Sequence, residues 1–237
     1  MLHHCSKGNG NYGEYRSYKK SGIRTEDTDF DLSKAVTEEK IAELTEEELK
    51  SLRHIGALLQ GHPCIHIPGV DMSSGSLGQG ISAACGMALA GKLDGKSYKV
   101  YTILGDGEIE EGQVWEAAMF AAHKELSNLV AIVDNNGLQI DGPITEVCSP
   151  EPITDKFAAF GWHVITMDAH DFDSIDRAFE AAEAVTDKPV AIIQKSIKGK
   201  GVSFMENQVG WHGTAPNKEQ YDQAMAELNA QLKELED

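Results

Sequence analysis

The chain has 237 residues, 41% of them hydrophobic, which is enough to bury one sizeable α/β core. With 21 basic and 38 acidic residues it carries a formal charge of −17, so nucleic acid and anionic membrane surfaces would repel it. No apolar run reaches the roughly 18 residues of a membrane span, and Met1-Leu-His-His-Cys5 leads into polar sequence rather than a secretory signal. Cys5, Cys64, Cys85 and Cys148 show no Cys-x-x-Cys spacing, which points to reduced thiols in a cytoplasmic protein, not to a disulfide framework or zinc site.

In chain order, residues 1–35 combine a Gly/Asn-rich stretch, a basic patch from Arg16 to Lys20 and an acidic one from Glu26 to Asp31. With so little to bury, this segment is expected to be poorly ordered, and residues 36–237 to form one domain. Thr45 and Glu48 make a capping-box pattern that predicts a helix running toward Leu59. Ser73 to Gly80 is a Ser/Gly loop opening an Ala-rich helix that extends to about Leu93. Tyr98 to Leu104 and Leu129 to Asp134 are β-branched apolar runs, each ending in a turn. Between them, Val114, Trp115, Ala118, Met119, Ala122 and Leu126 recur at helical spacing, predicting a helix over 110–126. Beyond lie a helix from Ile153 to Phe160, a strand from Trp162 to Met167, a helix from Asp173 to Val185 and a strand from Val190 to Gln194. An amphipathic helix from Asn217 to Leu235 closes the chain.

A strand, a helix and a strand in about 37 residues form a right-handed βαβ crossover with parallel strands. The fold class is therefore α/β: a doubly wound, mostly parallel sheet with helices on both faces. Such sheets bind ligands beyond the carboxyl ends of their strands, where Gly105-Asp106-Gly107 and Asn135-Asn136 fall, 27 residues apart. A carboxylate, an amide oxygen and a nearby main-chain carbonyl form a hard oxygen half-shell suited to Mg²⁺ or Ca²⁺, with phosphate and water completing it. The glycines flanking Asp106 would let a diphosphate approach the backbone, and the next helix would offer it free amides. Taken singly, Asp-Gly and Asn-Asn-Gly are ordinary turns; only their joint placement favours a ligand site.

Gly105-Asp106-Gly107 followed by Asn135-Asn136 resembles the thiamine diphosphate motif. The surrounding Leu-Gly-Asp-Gly-Glu-Ile-Glu-Glu-Gly-Gln-Val-Trp-Glu-Ala-Ala and Asp-Asn-Asn-Gly-Leu-Gln-Ile-Asp-Gly resemble the N-terminal part of transketolase, over about Thr45 to Ala226. The resemblance implies a thiamine diphosphate-binding fold in which Asp106, Asn136 and the carbonyl of Leu138 hold Mg²⁺, with Ca²⁺ as a possible substitute. Gly105 and Gly107 would border the diphosphate. Glu111 matches a glutamate of the polar network linking paired active sites, although an acid in a first helical turn is favoured by the dipole in any case. Gln60-Gly61-His62-Pro63 and the block from Gly69 to Gly80 match two further family stretches, placing His62 on cofactor and substrate, with Gly75 and Leu77 beside the cofactor. Trp211-His212-Gly213 matches the block whose histidine reaches the diphosphate and the substrate end of the pocket, and a near-neutral pKa suits such a residue to proton transfer. The lysines of Lys195-Ser-Ile-Lys-Gly-Lys-Gly201 would attract a phosphorylated sugar or be a solvated loop.

Two departures shape the expected function. The family carries Gly-His-Pro and Ser-Lys-Gly-His blocks upstream, whereas here Ser6-Lys7-Gly8 runs into Asn9, which suggests a shortened form or a misassigned start. The family glutamate that activates the cofactor lies on a pyrimidine-binding domain absent from these residues. The resemblance thus implies the N-terminal subunit of a two-component transketolase, moving a two-carbon ketol unit between sugar phosphates in the pentose phosphate pathway. It would pair with a C-terminal, pyrimidine-binding subunit in a homo- or hetero-oligomer and be inactive alone. The alternatives are another thiamine diphosphate enzyme, of the deoxyxylulose-phosphate synthase or 2-oxo-acid dehydrogenase α type, or a catalytically degenerate cofactor-binding subunit. Gln-Gly-His-Pro and Trp-His-Gly resemble transketolase more closely than either enzyme.

Overall fold

The computed structural model describes residues 45–67, 70 and 72–236. The expectation for residues 1–35, and the Ser6-Lys7-Gly8 comparison, lie outside them.

The frame is a four-stranded parallel sheet of β1 (Val100–Gly105), β2 (Leu129–Asn135), β5 (His163–Asp168) and β6 (Val190–Lys195), in the order β1-β2-β6-β5. β1 pairs with β2 from Val100↔Leu129 to Gly105↔Asp134, and β2 pairs with β6 from Val130↔Val190 to Asn135↔Lys195. Both inner strands are apolar until their carboxyl-terminal two residues, over Leu129–Val133 and Val190–Ile193, because alternate residues face opposite layers and both layers are covered. Leu129, Ala131, Val133, Ala191 and Ile193 join Val100 and Leu104 under α2 (Gln79–Leu93), α3 (Gly112–His123) and α5 (Ile153–Ala159). Val130, Ile132, Val190 and Ile192 face α6 (Phe172–Ala184) through Ala178 and Ala182. Lys99 and Tyr101 fasten that second layer, donating to the Ala182 carbonyl (2.8 Å) and to Glu183 Oε1 (2.8 Å).

The first layer is the larger, and its centre is aromatic. Phe157 is fully buried, with ring centroids 5.2 Å from Trp115 and 5.5 Å from Trp162, while Trp162 Nε1 donates to the Ala118 carbonyl at 3.0 Å. α2 contributes small residues: Ala84, Cys85 and Ala88 in the core it shares with α3, and Gly91 against the Tyr98 ring. Burial pushes the Cys85 thiol up to about 12, leaving it a structural group.

Two sequence expectations change. The helix expected from Thr45 toward Leu59 is only α1 (Glu46–Lys50). Its capping box forms as read, but none of its residues is buried, so no packing sustains it. Arg53 and Gly56 then adopt positive φ, and the Arg53 amide turns back to the Leu59 carbonyl. The helix expected over 110–126 is instead a 3-10 turn (Glu108–Glu110) followed by α3, with Glu111 extended between them at ψ 128. After β2 a short hairpin, β3 (Leu138–Gln139) and β4 (Gly142–Pro143), leads into α4 (Ile144–Val147). The last helix, α7 (Lys218–Glu236), rests on the preceding loop rather than the sheet. Ser203 binds Glu227 through its amide and hydroxyl (2.7 Å each), and Gln231 Nε2 donates to the Gly201 carbonyl (2.8 Å).

Phe157→Ala should lower unfolding free energy by about 3–5 kcal/mol, since the aromatic centre cannot collapse around the cavity left behind. Urea titration followed by Trp115 and Trp162 fluorescence measures it; a loss below about 1 kcal/mol would contradict this account of the core.

Candidate functional site

The candidate site lies at the carboxyl ends of β1 and β2. The register sets Gly105 against Asp134, and the Asp106 amide extends the pairing by donating to the Asp134 carbonyl at 3.2 Å. Asp106 is consequently a buried carboxylate, 1% exposed, at the end of the strand pair. Its Oδ2 accepts from the Gly137 amide at 2.6 Å and its Oδ1 from the Gly107 amide at 2.9 Å. Burial raises its pKa above the usual carboxylate value, and the Asp134 charge adds to that. The Gly137 and Gly107 amides and the Lys198 charge oppose it.

Asn136 sits beside it in a fixed orientation. Its Nδ2 donates to Asp134 Oδ2 at 3.2 Å, and its Oδ1 accepts from the Leu138 amide at 3.0 Å. Asp134 Oδ1 also accepts a short hydrogen bond from Ser196 Oγ, tying β2 to the loop after β6 that carries Lys198. Each Asp106 oxygen takes one amide, and each keeps acceptor capacity, as does Asn136 Oδ1. Among the described residues no cluster of three or more His, Cys, Asp or Glu side chains could hold a metal. A cation here would therefore need the mixed set of Asp106, Asn136 and a main-chain carbonyl such as that of Leu138, completed by oxygens from a ligand. That hard donor set, around a buried carboxylate short of positive charge, fits Mg²⁺.

The glycines around Asp106 have a different reason from the one their sequence suggests. The Gly107 amide is taken by Asp106 itself and the Gly105 amide by Glu108 Oε2 at 3.0 Å, so neither is free for an anion. A Cβ at position 107 would come within 2.9 Å of Gln139 Cβ, whereas one at position 105 would meet only ordinary contacts. Glycine at 107 is thus demanded by the β3 hairpin.

Glu108 links this centre to the next part of the site. While Oε2 holds Gly105, Oε1 accepts from the Gly78 amide at 2.9 Å, drawing the loop before α2 against the end of β1. Gly78, at φ +78, is required there because a Cβ would stand 2.8 Å from Glu111 Cβ. At the same loop His62 packs on Gly75, whose φ is +153 and where a Cβ would lie 2.5 Å from His62 Cγ. His62, Met72 to Ser76, Gln79 and Gly80 line a cavity of about 270 Å³ at the start of α2. That helix has no acid in its first turn and no side-chain cap from its own N-cap residue; the Gly78 amide is held by Glu108 and the Gln79 amide by the Ser76 carbonyl at 3.3 Å.

His62, Gly75, Leu77, Gly105, Asp106, Gly107, Asn136 and Leu138 therefore fall on linked segments. Leu77 is 60% exposed beside them. Glu111 is exposed, and its carboxylate makes no hydrogen bond or ion pair among the described residues. His212 stands apart: it is exposed after a 3-10 turn (Val209–Trp211), and no contact among the described residues joins its ring to Asp106, Asn136 or His62. Its segment connects indirectly, through the Asn207 amide on the Lys198 carbonyl at 2.9 Å. Glu108, Asp134 and Ser196 are residues of the candidate site that sequence reasoning missed as individuals, whereas Lys198 belongs to the lysine loop it had read. The spacing of Asp134 two residues before Asn136 was the available signal.

Comparison with known proteins follows the same lines. Residues 40–234 match the family described as transketolase, thiamine diphosphate binding domain. The chain is 42% identical over 201 residues to an apulose-4-phosphate transketolase subunit from Phocaeicola vulgatus, covering 85% of this chain and 72% of that one. It is 46% identical over 183 residues to a 6-deoxy-6-sulfo-D-fructose transketolase subunit from Clostridium sp., covering 77% and 66%. Against the transketolase of Homo sapiens it is 43% identical over 190 residues but spans only 30% of that protein's length. Among solved structures, the Campylobacter jejuni transketolase superposes with a TM-score of 0.73 at 32% identity, over 77% of this chain and 30% of that one. The Pichia stipitis transketolase complex with sedoheptulose-7-phosphate gives 0.74 at 32% identity, over 78% and 29%.

Gly75→Ala should displace His62, because the new methyl occupies the space of its ring, and should cost about 1 kcal/mol or more for the positive φ. A shifted His62 ring resonance in proton–carbon NMR is expected; an unmoved resonance would contradict the packing described.

Proposed function

The chain belongs to the transketolase family, as its thiamine diphosphate-binding domain, and we propose that it is the N-terminal subunit of a two-component transketolase. The observation that carries this reading is the linked set of His62, Gly75, Asp106 and Asn136 at the carboxyl ends of β1 and β2. Two relatives named as transketolase subunits, of which the chain covers 72% and 66%, support the two-component form. The single-chain enzymes are more than three times its matched length, so their activity and partners enter as part of the proposal.

In this reading Asp106, Asn136 and the Leu138 carbonyl would hold Mg²⁺, with oxygens of the cofactor completing its shell. When bound, thiamine diphosphate supplies the carbanion chemistry by which a two-carbon ketol unit leaves one sugar and joins another. The chain's own residues bind and orient. The start of α2 borders the cavity through Gln79 and Gly80, and the Lys198 charge acts on Asp106. His62, packed on Gly75, and His212 are the imidazoles that would exchange protons with a sugar hydroxyl. Glu111 projects from the domain without a partner of its own, where a second subunit can engage it. That subunit would be pyrimidine-binding and would supply the acid that activates the cofactor, so this chain alone should not turn over.

The substrates proposed are ketoses with an anionic terminal group. The relatives' names specify one carrying phosphate and one carrying sulfonate, and the Pichia complex holds a sugar phosphate. The pentose phosphate pathway and a cytoplasmic location are part of the same proposal.

The purified chain should bind thiamine diphosphate with Mg²⁺ more tightly once its partner subunit is added, and Asp106→Ala should abolish that gain, as read by calorimetry. Unchanged binding by the variant would remove Asp106 from the metal site. The two-chain complex should consume xylulose 5-phosphate with ribose 5-phosphate, and not pyruvate with glyceraldehyde 3-phosphate. His62→Ala or His212→Ala should lower that turnover about 100-fold or more.

A further inference from the structure

Asn136 can serve a cation only through one of its two ends, since an amide turned by 180° presents N–H donors where an oxygen is needed. What sets the orientation is visible in its surroundings. On one side stands the carboxylate of Asp134, which only accepts, with its Oδ2 3.2 Å from Asn136 Nδ2. On the other stands the Leu138 amide, which only donates, 3.0 Å from Asn136 Oδ1. The two neighbours demand the same orientation, so it follows from the chemistry of the network itself. Asp134 is in turn held by the Ser196 hydroxyl at its other oxygen and by its place in the central strand β2, paired with Gly105 on one side and Gln194 on the other.

We propose that Asp134 is a positioning residue, fixing the Asn136 amide so that its oxygen, not its nitrogen, faces the divalent cation. The inference rests on the assignment of Asp106, Asn136 and Leu138 to the cation, and adds a residue that does not touch the ion. Removing the carboxylate leaves the Leu138 amide alone to orient Asn136, and the flipped amide loses only one hydrogen bond. Neighbours that orient metal ligands typically affect metal affinity by about 10–100-fold.

The test is titration of the 237-residue chain, in the presence of thiamine diphosphate, with Mn²⁺ read by electron paramagnetic resonance; thermal unfolding verifies folding of each variant. Asp134→Ala should weaken Mn²⁺ binding by about tenfold or more. Asp134→Asn should stay within about threefold of wild type, because its amide oxygen can still accept from Asn136 while its NH₂ turns to Ser196. The decisive variant is Asn136→Asp, which has oxygens at both ends and no orientation to lose. With Asp134 present it sets two carboxylates against each other and should weaken binding; combined with Asp134→Ala it should restore most of the lost affinity. A merely structural role for Asp134 predicts no such reversal, and failure of the double variant to recover would overturn the proposal. Unaltered binding in Asp134→Ala would do the same while leaving the cation site standing. Absence of Mn²⁺ binding by wild type would overturn the cation assignment and this inference together. If Asp134→Ala does not fold, Asp134→Thr, which retains a good strand former without the reaching carboxylate, takes its place in every comparison.

Discussion

The pairing of Gly105 with Asp134 is the constraint on which the site depends. A slip of one residue would turn every side chain of β1 to the opposite layer, so the burial of Val100, Thr102 and Leu104 in the first layer secures the register. With that register set, the Asp106 amide reaches the Asp134 carbonyl and the Asp106 carboxylate reaches the Gly137 amide. The hydrophobic layers therefore determine a polar geometry that contains almost no apolar atoms. Core and site are coupled through strand pairing, and neither could shift without the other.

Much of this was legible in the sequence, for identifiable reasons. β2 and β6 carry continuous apolar runs, Leu129–Val133 and Val190–Ile193, because both faces are covered there. Asp106 and Asn136 could be placed together because a parallel crossover puts successive strand ends on one edge of the sheet. The helix beyond Thr45 was overextended because capping chemistry marks a start and says nothing about whether later turns find a surface. α1 buries no residue, and Gly56 at φ +84 belongs to a chain already turning. The 3-10 turn at Glu108–Glu110 escaped helical periodicity because Ile109 and Val114 are both buried while Glu111 between them is extended.

The individual roles around Asp106 were less legible, because they depend on which atoms meet. Glu108 reads as one of several acids favoured near a helix start. In the structure it is a two-pronged strut, one oxygen on Gly78 and the other on Gly105, holding together segments 27 residues apart in sequence. Gly107 reads as room for a ligand, yet the atom it makes room for is Gln139 Cβ. His62 and Gly75 could be matched to family blocks separately; their direct contact appears only in three dimensions.

The burial of Asp106 explains why this arrangement is unlike a pair of ordinary turns. A carboxylate 1% exposed, with a second carboxylate nearby, is costly to ionise, and two amides and the Lys198 charge offset that cost only in part. Turn-forming aspartates normally sit in water, where a hydrogen bond to the next amide carries no desolvation cost. Here the strand register and the β3 hairpin enclose the group from both sides. A divalent cation shared with Asn136 would remove the imbalance, and the same buried charge that destabilises the free domain would then strengthen its hold on the ion. The cost would then be confined to the state lacking cation and recovered on binding, so that occupancy of the site and stability of this edge of the sheet would be two readings of one equilibrium.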